Sequence, residues 1–190
     1  MHQNPLIAAL LQISNLSEAS ITALDGLISY RKYAKNSTLL SFGSVAQYIF
    51  FIHKGLARVF YYRDDRDVTD YFAVGNQFVG ATASLFKGIP SNKAIELLED
   101  SEVYSLPYAR FDQLCLKHPD LERAVRKLTI FGLLEEQERI ESLRFLSAKQ
   151  RYWELEKKYP GITNRAPLKH IASYLNATDV SISRIRAGKQ

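Results

Sequence analysis

Hydrophobic and polar positions follow three successive patterns along the chain. In the first pattern, over residues 4 to 29, apolar side chains recur at helical spacing in two stripes. Asn4–Pro5 and Ser17 stand where helix caps are expected, so we predict two N-terminal helices. The beginning of the chain lacks the basic region and cleavage site of a signal peptide, and we expect a packed helix there.

The second pattern, from about Tyr33 to Leu106, consists of short runs rich in β-branched and aromatic residues. These runs are "TLLSF", "YIFFIH", "LARVFYYR", "VTDYFA", "AIELLE" and "EVYSL". Gly, Asn and Asp residues punctuate them at turn-like positions, and no helix-length segment lies between them. The pattern predicts an antiparallel, jelly-roll-like β-roll and argues against a parallel α/β sheet.

Helical spacing returns at Pro107, first in a short helix and then in a run of about seven turns. Asp120 is expected to cap the long helix. We predict that this helix pairs with its twin in a homodimer, although it could instead lie across the β-roll. Its apolar side is predicted to comprise Leu121, Val125, Leu128, Phe131, Leu134, Ile140 and Leu143.

The last 44 residues are predicted to form a helical module that ends in a helix–turn–helix. In "APLKHIASYLNATDVSISRIR", Asn176 stands where the turn needs a left-handed residue, and Thr178 can cap the second helix. Trp153 is expected to anchor the core of the module, together with the apolar residues of these helices. Those residues are Ile171, Ala172, Leu175, Ile182 and Ile185.

Charge is distributed unevenly between these regions. The chain has 190 residues and a net charge of +5, but residues 1–146 carry 16 basic and 17 acidic side chains. Residues 147–190 carry 9 basic and 3 acidic side chains, so the positive excess lies in the last module. A folded module with a field of one sign indicates a polyanionic partner, most often nucleic acid.

The second helix of the hairpin has a short, polar, arginine-bearing outer face. Arginine can bind guanine through two hydrogen bonds in the major groove, and hydroxyls can reach bases or phosphates. We predict binding to double-stranded DNA, against the alternatives of a solvated hairpin or a hairpin that serves a protein partner. The predicted outer face comprises Asp179, Val180, Ser181, Ser183, Arg184 and Arg186.

With its order of helices, β-roll, long helix and helix–turn–helix, the chain resembles the cyclic-AMP receptor protein / fumarate-nitrate regulator (Crp/Fnr) family. The stretches "YIFFIHKGLARVFYY", "VTDYF" and "ASYLNATDVSISRIR" carry the resemblance. It implies an α+β fold with a β-roll sensor domain at 1–118, a dimerisation helix at 119–146 and an all-α, winged-helix-like DNA-binding domain at 147–190.

The resemblance also implies a function and roles for individual residues. The protein would be a homodimeric bacterial transcriptional regulator that binds a palindromic operator. Asp179, Val180 and Arg184 would face bases, whereas Lys169 and Thr178 would lie near phosphates.

The sensor pocket departs from the family's pattern. In "FVGATASLFKGIPSNKAIE", Gly80 is kept, but Ala81 stands at the position of the glutamate that receives the ribose hydroxyl. Asn92 and Lys93 stand at the positions of the arginine and serine that hold the cyclic phosphate. Loss of a bidentate arginine–phosphate pair removes the strongest contact to that ligand. We therefore expect an effector other than cyclic AMP, or none.

Other chemistries find little support in the sequence. A metal enzyme of the cupin type would need clustered ligands, but only His53 lies in the β region, and no nucleophile motif or phosphate-binding loop is present. The single cysteine, Cys115, is expected in the core, and a chain without disulfides suggests the cytoplasm. We predict no enzymatic activity, cofactor, metal or membrane span. A small-molecule or protein-interaction module without DNA binding is the alternative.

Overall fold

A computed structural model describes residues 4–189, which form nine helices and eight strands. The helices are α1 (Pro5–Ile13), α2 (Glu18–Asp25), α3 (Thr82–Lys87), α4 (Tyr108–Cys115), α5 (Pro119–Phe145), α6 (Ala148–Lys158), α7 (Ile162–Arg165), α8 (Leu168–Tyr174) and α9 (Asp179–Arg186). The strands are β1 (Ser29–Tyr33), β2 (Thr38–Leu40), β3 (Tyr48–Lys54), β4 (Leu56–Arg63), β5 (Arg66–Val74), β6 (Gln77–Val79), β7 (Ala94–Leu97) and β8 (Ser101–Pro107).

The eight strands form two antiparallel sheets that enclose an apolar core. One sheet has the order β1-β8-β3-β6 and the other β2-β7-β4-β5. Ile52, Val59, Ile95 and Val103 are completely buried between them. The predicted β-roll is therefore confirmed. Sequence reasoning missed β1, whose "SYRKY" lies mostly exposed, and β6, which is only three residues long.

The N-terminal helices pack on the outside of the first sheet. The Asn4 side chain accepts a hydrogen bond from the Leu6 N–H, and Ser17 Oγ accepts one from the Ser20 N–H, so both predicted caps are confirmed. Cys115 of α4 is buried in the same apolar cluster, as expected.

Helix α5 is the 27-residue helix that the sequence predicts, but Asp120 does not cap it. His118 is the N-cap residue, and Pro119 occupies the first turn. The Asp120 carboxylate instead accepts hydrogen bonds from the Ser17 N–H at 2.7 Å and from Ser20 Oγ at 2.6 Å. It therefore ties the start of α5 to the start of α2.

Residues 147–189 contain four helices and no strand. Helix α6 begins with a capping box in which Ser147 and Gln150 exchange hydrogen bonds. The expectation for Trp153 is wrong, since its side chain is 53% exposed. Tyr152 and Leu155, on the opposite side of α6, are buried in the core of the module instead. No helix within residues 4–189 is long and apolar enough to cross a bilayer.

Candidate nucleic-acid interface and effector pocket

Helices α8 and α9 form a helix–turn–helix whose local geometry matches the sequence prediction. Asn176 adopts a left-handed conformation with φ of 48°, which turns the chain sharply between the two helices. Thr178 caps α9, because its Oγ1 accepts a hydrogen bond from the Ser181 N–H at 3.1 Å. Ile182 and Ile185 are buried against α6 and α8, which fixes the face that α9 turns outward.

The outward face of α9 is polar, exposed and charged. Asp179, Ser183 and Arg184 are exposed, and Val180 is 61% exposed in the middle of this surface. We find no hydrogen bond or ion pair from the Arg184 guanidinium within residues 4–189, so this side chain can extend toward a ligand.

The remaining residues of the predicted interface have additional contacts. Arg186 donates a hydrogen bond to Asn164 Oδ1 at 2.7 Å, which holds it against α7. Ser181 is half-buried, and its hydroxyl lies 2.9 Å from that of Thr178. Lys169, on α8, is exposed. The structure thus gathers the predicted DNA-facing residues on one module, with Arg184 the freest of the arginines.

The predicted effector-pocket residues lie on two segments that both contact β5. Gly80 N–H donates a hydrogen bond to the Tyr71 hydroxyl at 3.2 Å, and that hydroxyl donates to Gly80 O at 2.9 Å. Lys93 Nζ lies 2.5 Å from Asp70 Oδ2. The backbone N–H and C=O of Gly80 and the Lys93 ammonium are therefore paired with side chains of β5.

Two other residues of this pocket carry no charged group that could pair with a nucleotide. Ala81 is buried and begins α3 without a side-chain cap, while Asn92 is exposed. Burial raises the pKa of Tyr71 to about 12, so its hydroxyl stays protonated and neutral at physiological pH. The site therefore presents Lys93, already paired, as its one cation among these residues.

A large cleft of about 1080 Å³ lies between the β-roll and α5. It is lined by residues that include Tyr71, Gly80, Phe86, Tyr108 and Leu128. The cleft is lined by residues of both the β-roll and the long helix. No group of three or more His, Cys, Asp or Glu side chains in the described chain could hold a metal ion.

Helix α5 carries a second exposed surface, which is apolar. The predicted stripe divides along its length, because Leu121 is completely buried on the β-roll whereas Phe131, Leu134 and Ile140 are exposed. Ile130, Leu133 and Phe145 add to this exposed apolar face, and sequence reasoning missed them because they depart from heptad spacing. Such a face on one helix is typical of a protein–protein interface.

The β-roll region matches a known domain family. Residues 30–118 match the family model described as "Cyclic nucleotide-binding domain". A search of curated protein sequences gives no match.

Solved structures share the fold at low sequence identity. FixK2 from Bradyrhizobium japonicum superposes with a TM-score of 0.72 at 17% identity, covering 85% of this chain and 83% of FixK2. A protein assigned to the Crp/Fnr family from Eubacterium rectale has a TM-score of 0.71 at 15% identity, with 91% and 83% covered. The catabolite activator protein of Thermus thermophilus has a TM-score of 0.58 at 16% identity, with 95% and 85% covered.

Proposed function

We propose, from the premise that the chain has a Crp/Fnr-type fold with a cyclic nucleotide-binding domain at residues 30–118, that it is a sequence-specific DNA-binding transcriptional regulator. In this proposal the protein acts as a homodimer through α5. The observation that carries it is the exposed face of α9, with an unpaired Arg184, on a folded basic module. The domain boundaries that we propose are 1–118, 119–146 and 147–190.

The proposed roles of the DNA-facing residues follow from their positions. Arg184 is exposed on α9, and a long side chain there can reach the floor of the major groove and bind a guanine. Lys169 lies on α8, which in a helix–turn–helix crosses the phosphate backbone. We therefore assign base recognition to Arg184 and phosphate binding to Lys169.

The first test is selection of bound sequences from a random pool of duplex DNA. A homodimer should enrich a palindromic sequence, because two identical modules read two half-sites. Binding of Arg184→Ala, Lys169→Ala and the β-roll control Lys87→Ala is then measured on single-base variants of that sequence at two salt concentrations.

The two DNA-facing variants should affect DNA binding in different ways. Arg184→Ala should weaken binding by about 1–3 kcal/mol and relax the preference at one base pair per half-site. Lys169→Ala should weaken binding to all sequences equally and flatten the salt dependence. An Arg184→Ala protein that keeps the wild-type ranking of the variants would show that Arg184 does not read a base. Failure to enrich any sequence would favour a protein partner for the hairpin.

We propose that cyclic AMP is not an effector of this protein. Ala81 and Asn92 supply neither a carboxylate for the ribose nor a guanidinium for the phosphate, and Asp70 already neutralises Lys93. The cleft between the β-roll and α5, lined largely by apolar and aromatic side chains, is the proposed site of any small-molecule effector.

A further inference from the structure

The helical module docks on the outer face of the second sheet, and the two share one apolar core. Leu56 and Phe72 come from the sheet, Leu98 directly follows β7, and the three are 0%, 2% and 6% exposed. They pack in one cluster with module residues such as Ile162 and Ile171. The module is therefore held on the β-roll by more than the chain connection through α5.

A buried arginine lies at the polar end of this interface. Arg58, on β4, is 1% exposed although it carries a full charge. Its Nε donates to Glu96 Oε1 at 2.6 Å, and its two terminal nitrogens donate to the Asp67 carboxylate at 2.6 and 2.9 Å. Its guanidinium carbon lies 4.0 Å from the centre of the Phe60 ring.

The module completes the coordination of this arginine from α8. An Arg58 N–H donates to His170 Nδ1, and because arginine has no acceptor atom, that nitrogen must carry the lone pair. Ser173, one turn further on α8, accepts a hydrogen bond from the Thr69 N–H at 2.9 Å and donates to Asp67 O at 3.2 Å. Since β5 is the edge strand of its sheet, the module covers a backbone donor that would otherwise face water.

The docked face and the candidate DNA-facing surface of the module are different surfaces. Helix α8 is buried through His170 while its neighbour Lys169 stays exposed, and α9 presents Arg184 to solvent. Docking therefore leaves the candidate DNA-facing residues free. A buried charge also tolerates few arrangements of its partners, so this contact favours a single orientation of the module.

We propose that Arg58 is a positioning residue that locks the helix–turn–helix module onto the β-roll through His170 and the Asp67–Ser173 contacts. We call this set of contacts, made by Arg58, Asp67, His170 and Ser173, the lock. It holds α9 in one orientation relative to α5. In a dimer it thereby fixes the distance between the two recognition helices. This last step rests on the proposed DNA-binding function, whereas the lock itself does not.

The lock has a consequence for DNA recognition. Two modules held at a fixed separation bind a palindrome with a high effective concentration, which is lost when the geometry is loose or mismatched. Half-sites must then lie at one spacing, close to one helical turn or a multiple of it. Release of the lock should therefore change spacing preference without changing how one module reads one half-site.

The lock itself is tested without DNA, by amide hydrogen exchange of peptides that cover β5 and α8. In Arg58→Met, exchange of these peptides should accelerate by about tenfold or more, because the docked state opens more often. Arg58→Lys should give an intermediate rate, since it keeps the charge but loses the bidentate geometry. Arg63→Met, an exposed arginine on the same strand, is the matched control and should exchange like the wild type.

A substitution in the helical module distinguishes loss of the docking contacts from misfolding of the sheet. Ser173→Ala removes the contacts with Thr69 and Asp67 while leaving β4 and its arginine intact. It should accelerate exchange in β5 and α8 and leave the protection of β3 and β8 unchanged. Wild-type protection of α8 in both Arg58→Met and Ser173→Ala would overturn the proposal.

The second readout uses palindromes whose half-sites are separated by different numbers of base pairs. Wild type and Arg63→Met should prefer one spacing, whereas Arg58→Met should bind that DNA about tenfold more weakly and discriminate less between spacings. Affinity for an isolated half-site should stay unchanged. An Arg58→Met protein with wild-type spacing preference would refute the positioning role. If the wild type binds no DNA, the proposed function fails, and hydrogen exchange still decides whether the lock exists.

Discussion

At the scale of single residues, side chains around the candidate effector pocket occupy polar groups that a ligand would otherwise bind. Tyr71 occupies the hydrogen-bonding groups of Gly80, and Asp70 pairs with Lys93. A cyclic phosphate entering here would meet a carboxylate and would find no free guanidinium. The free-energy cost of removing water from the phosphate would therefore not be offset by new contacts with the protein.

We therefore expect no binding of cyclic AMP or cyclic GMP at micromolar concentration by titration calorimetry. Asp70→Asn frees the Lys93 ammonium and is the informative variant, because it alone should gain weak affinity for the phosphate. Asp100→Asn, in a neighbouring loop away from Lys93, is the matched control and should behave like the wild type. Micromolar affinity of the wild-type protein for either nucleotide would contradict this interpretation.

Single residues also show which hydrogen bonds could be predicted from the sequence and which could not. Caps such as Asn4, Ser17 and Thr178 were predictable because their partners lie within a few residues. Asp120 was assigned as a cap by the same logic, but its partners on α2 are about a hundred residues away in sequence. The Arg58–His170 contact was missed for the same reason, since no local pattern marks an arginine that will be buried by a distant helix.

At the scale of elements, α5 divides into a half that packs on the β-roll and a half that is exposed. Hydrophobic periodicity predicted the helix and its length, because a stripe at 3.6-residue spacing persists throughout. Periodicity could not tell which part of the stripe the β-roll would cover. That division depends on where α1 and α4 pack, and it leaves Phe131, Leu134 and Ile140 uncovered.

A charged residue in the exposed half should therefore prevent dimerisation without unfolding the chain. Leu134→Glu should convert the proposed dimer to a monomer in analytical ultracentrifugation at micromolar concentration, because two charges would be buried face to face. Its circular dichroism should match that of the wild type, since Leu134 contributes little to the core of the protomer.

The control for this variant is Arg66→Glu, a charge substitution on the β-roll. Arg66 is exposed at the start of β5, on the β-roll and outside α5. This variant should remain a dimer. A wild-type protein that sediments as a monomer at the same concentration would show that the apolar face of α5 has another partner.

At the scale of the whole molecule, the β-roll and the helical module are joined by a shared core and a buried ion cluster. The sequence separated the two regions by hydrophobic pattern and charge, and each was recognisable on its own. Their docking could not be predicted, because Leu56, Phe72 and Leu98 read as ordinary strand residues. A shared core predicts that the chain unfolds in one cooperative transition near pH 7.

The same interface should make the stability of the whole chain sensitive to mild acid through His170. Burial and the adjacent Arg58 charge lower the pKa of His170 to about 4, with Asp67 opposing and Lys169 reinforcing the shift. Glu96 and Thr69 also contact Arg58 in this cluster. An unfolded or undocked His170 has a pKa of about 6.5. Its contribution to stability is thus complete above about pH 6.5 and is lost as the pH falls toward 4, by up to about tenfold in the equilibrium constant per pH unit.

The measurement is the unfolding temperature of wild type and His170→Gln by scanning calorimetry between about pH 7.5 and about pH 4, a range that extends from above the pKa of unfolded His170 down to that of the folded residue. The glutamine can still accept a hydrogen bond from Arg58 but does not titrate, so its unfolding temperature should fall less steeply with pH than that of the wild type. Equal slopes for wild type and His170→Gln would mean that His170 stays accessible to protons in the folded chain, and hence that the module is not docked as the structure has it. A steeper wild-type slope, together with one transition at pH 7, would place the pH response in the contact that joins the two halves of the molecule.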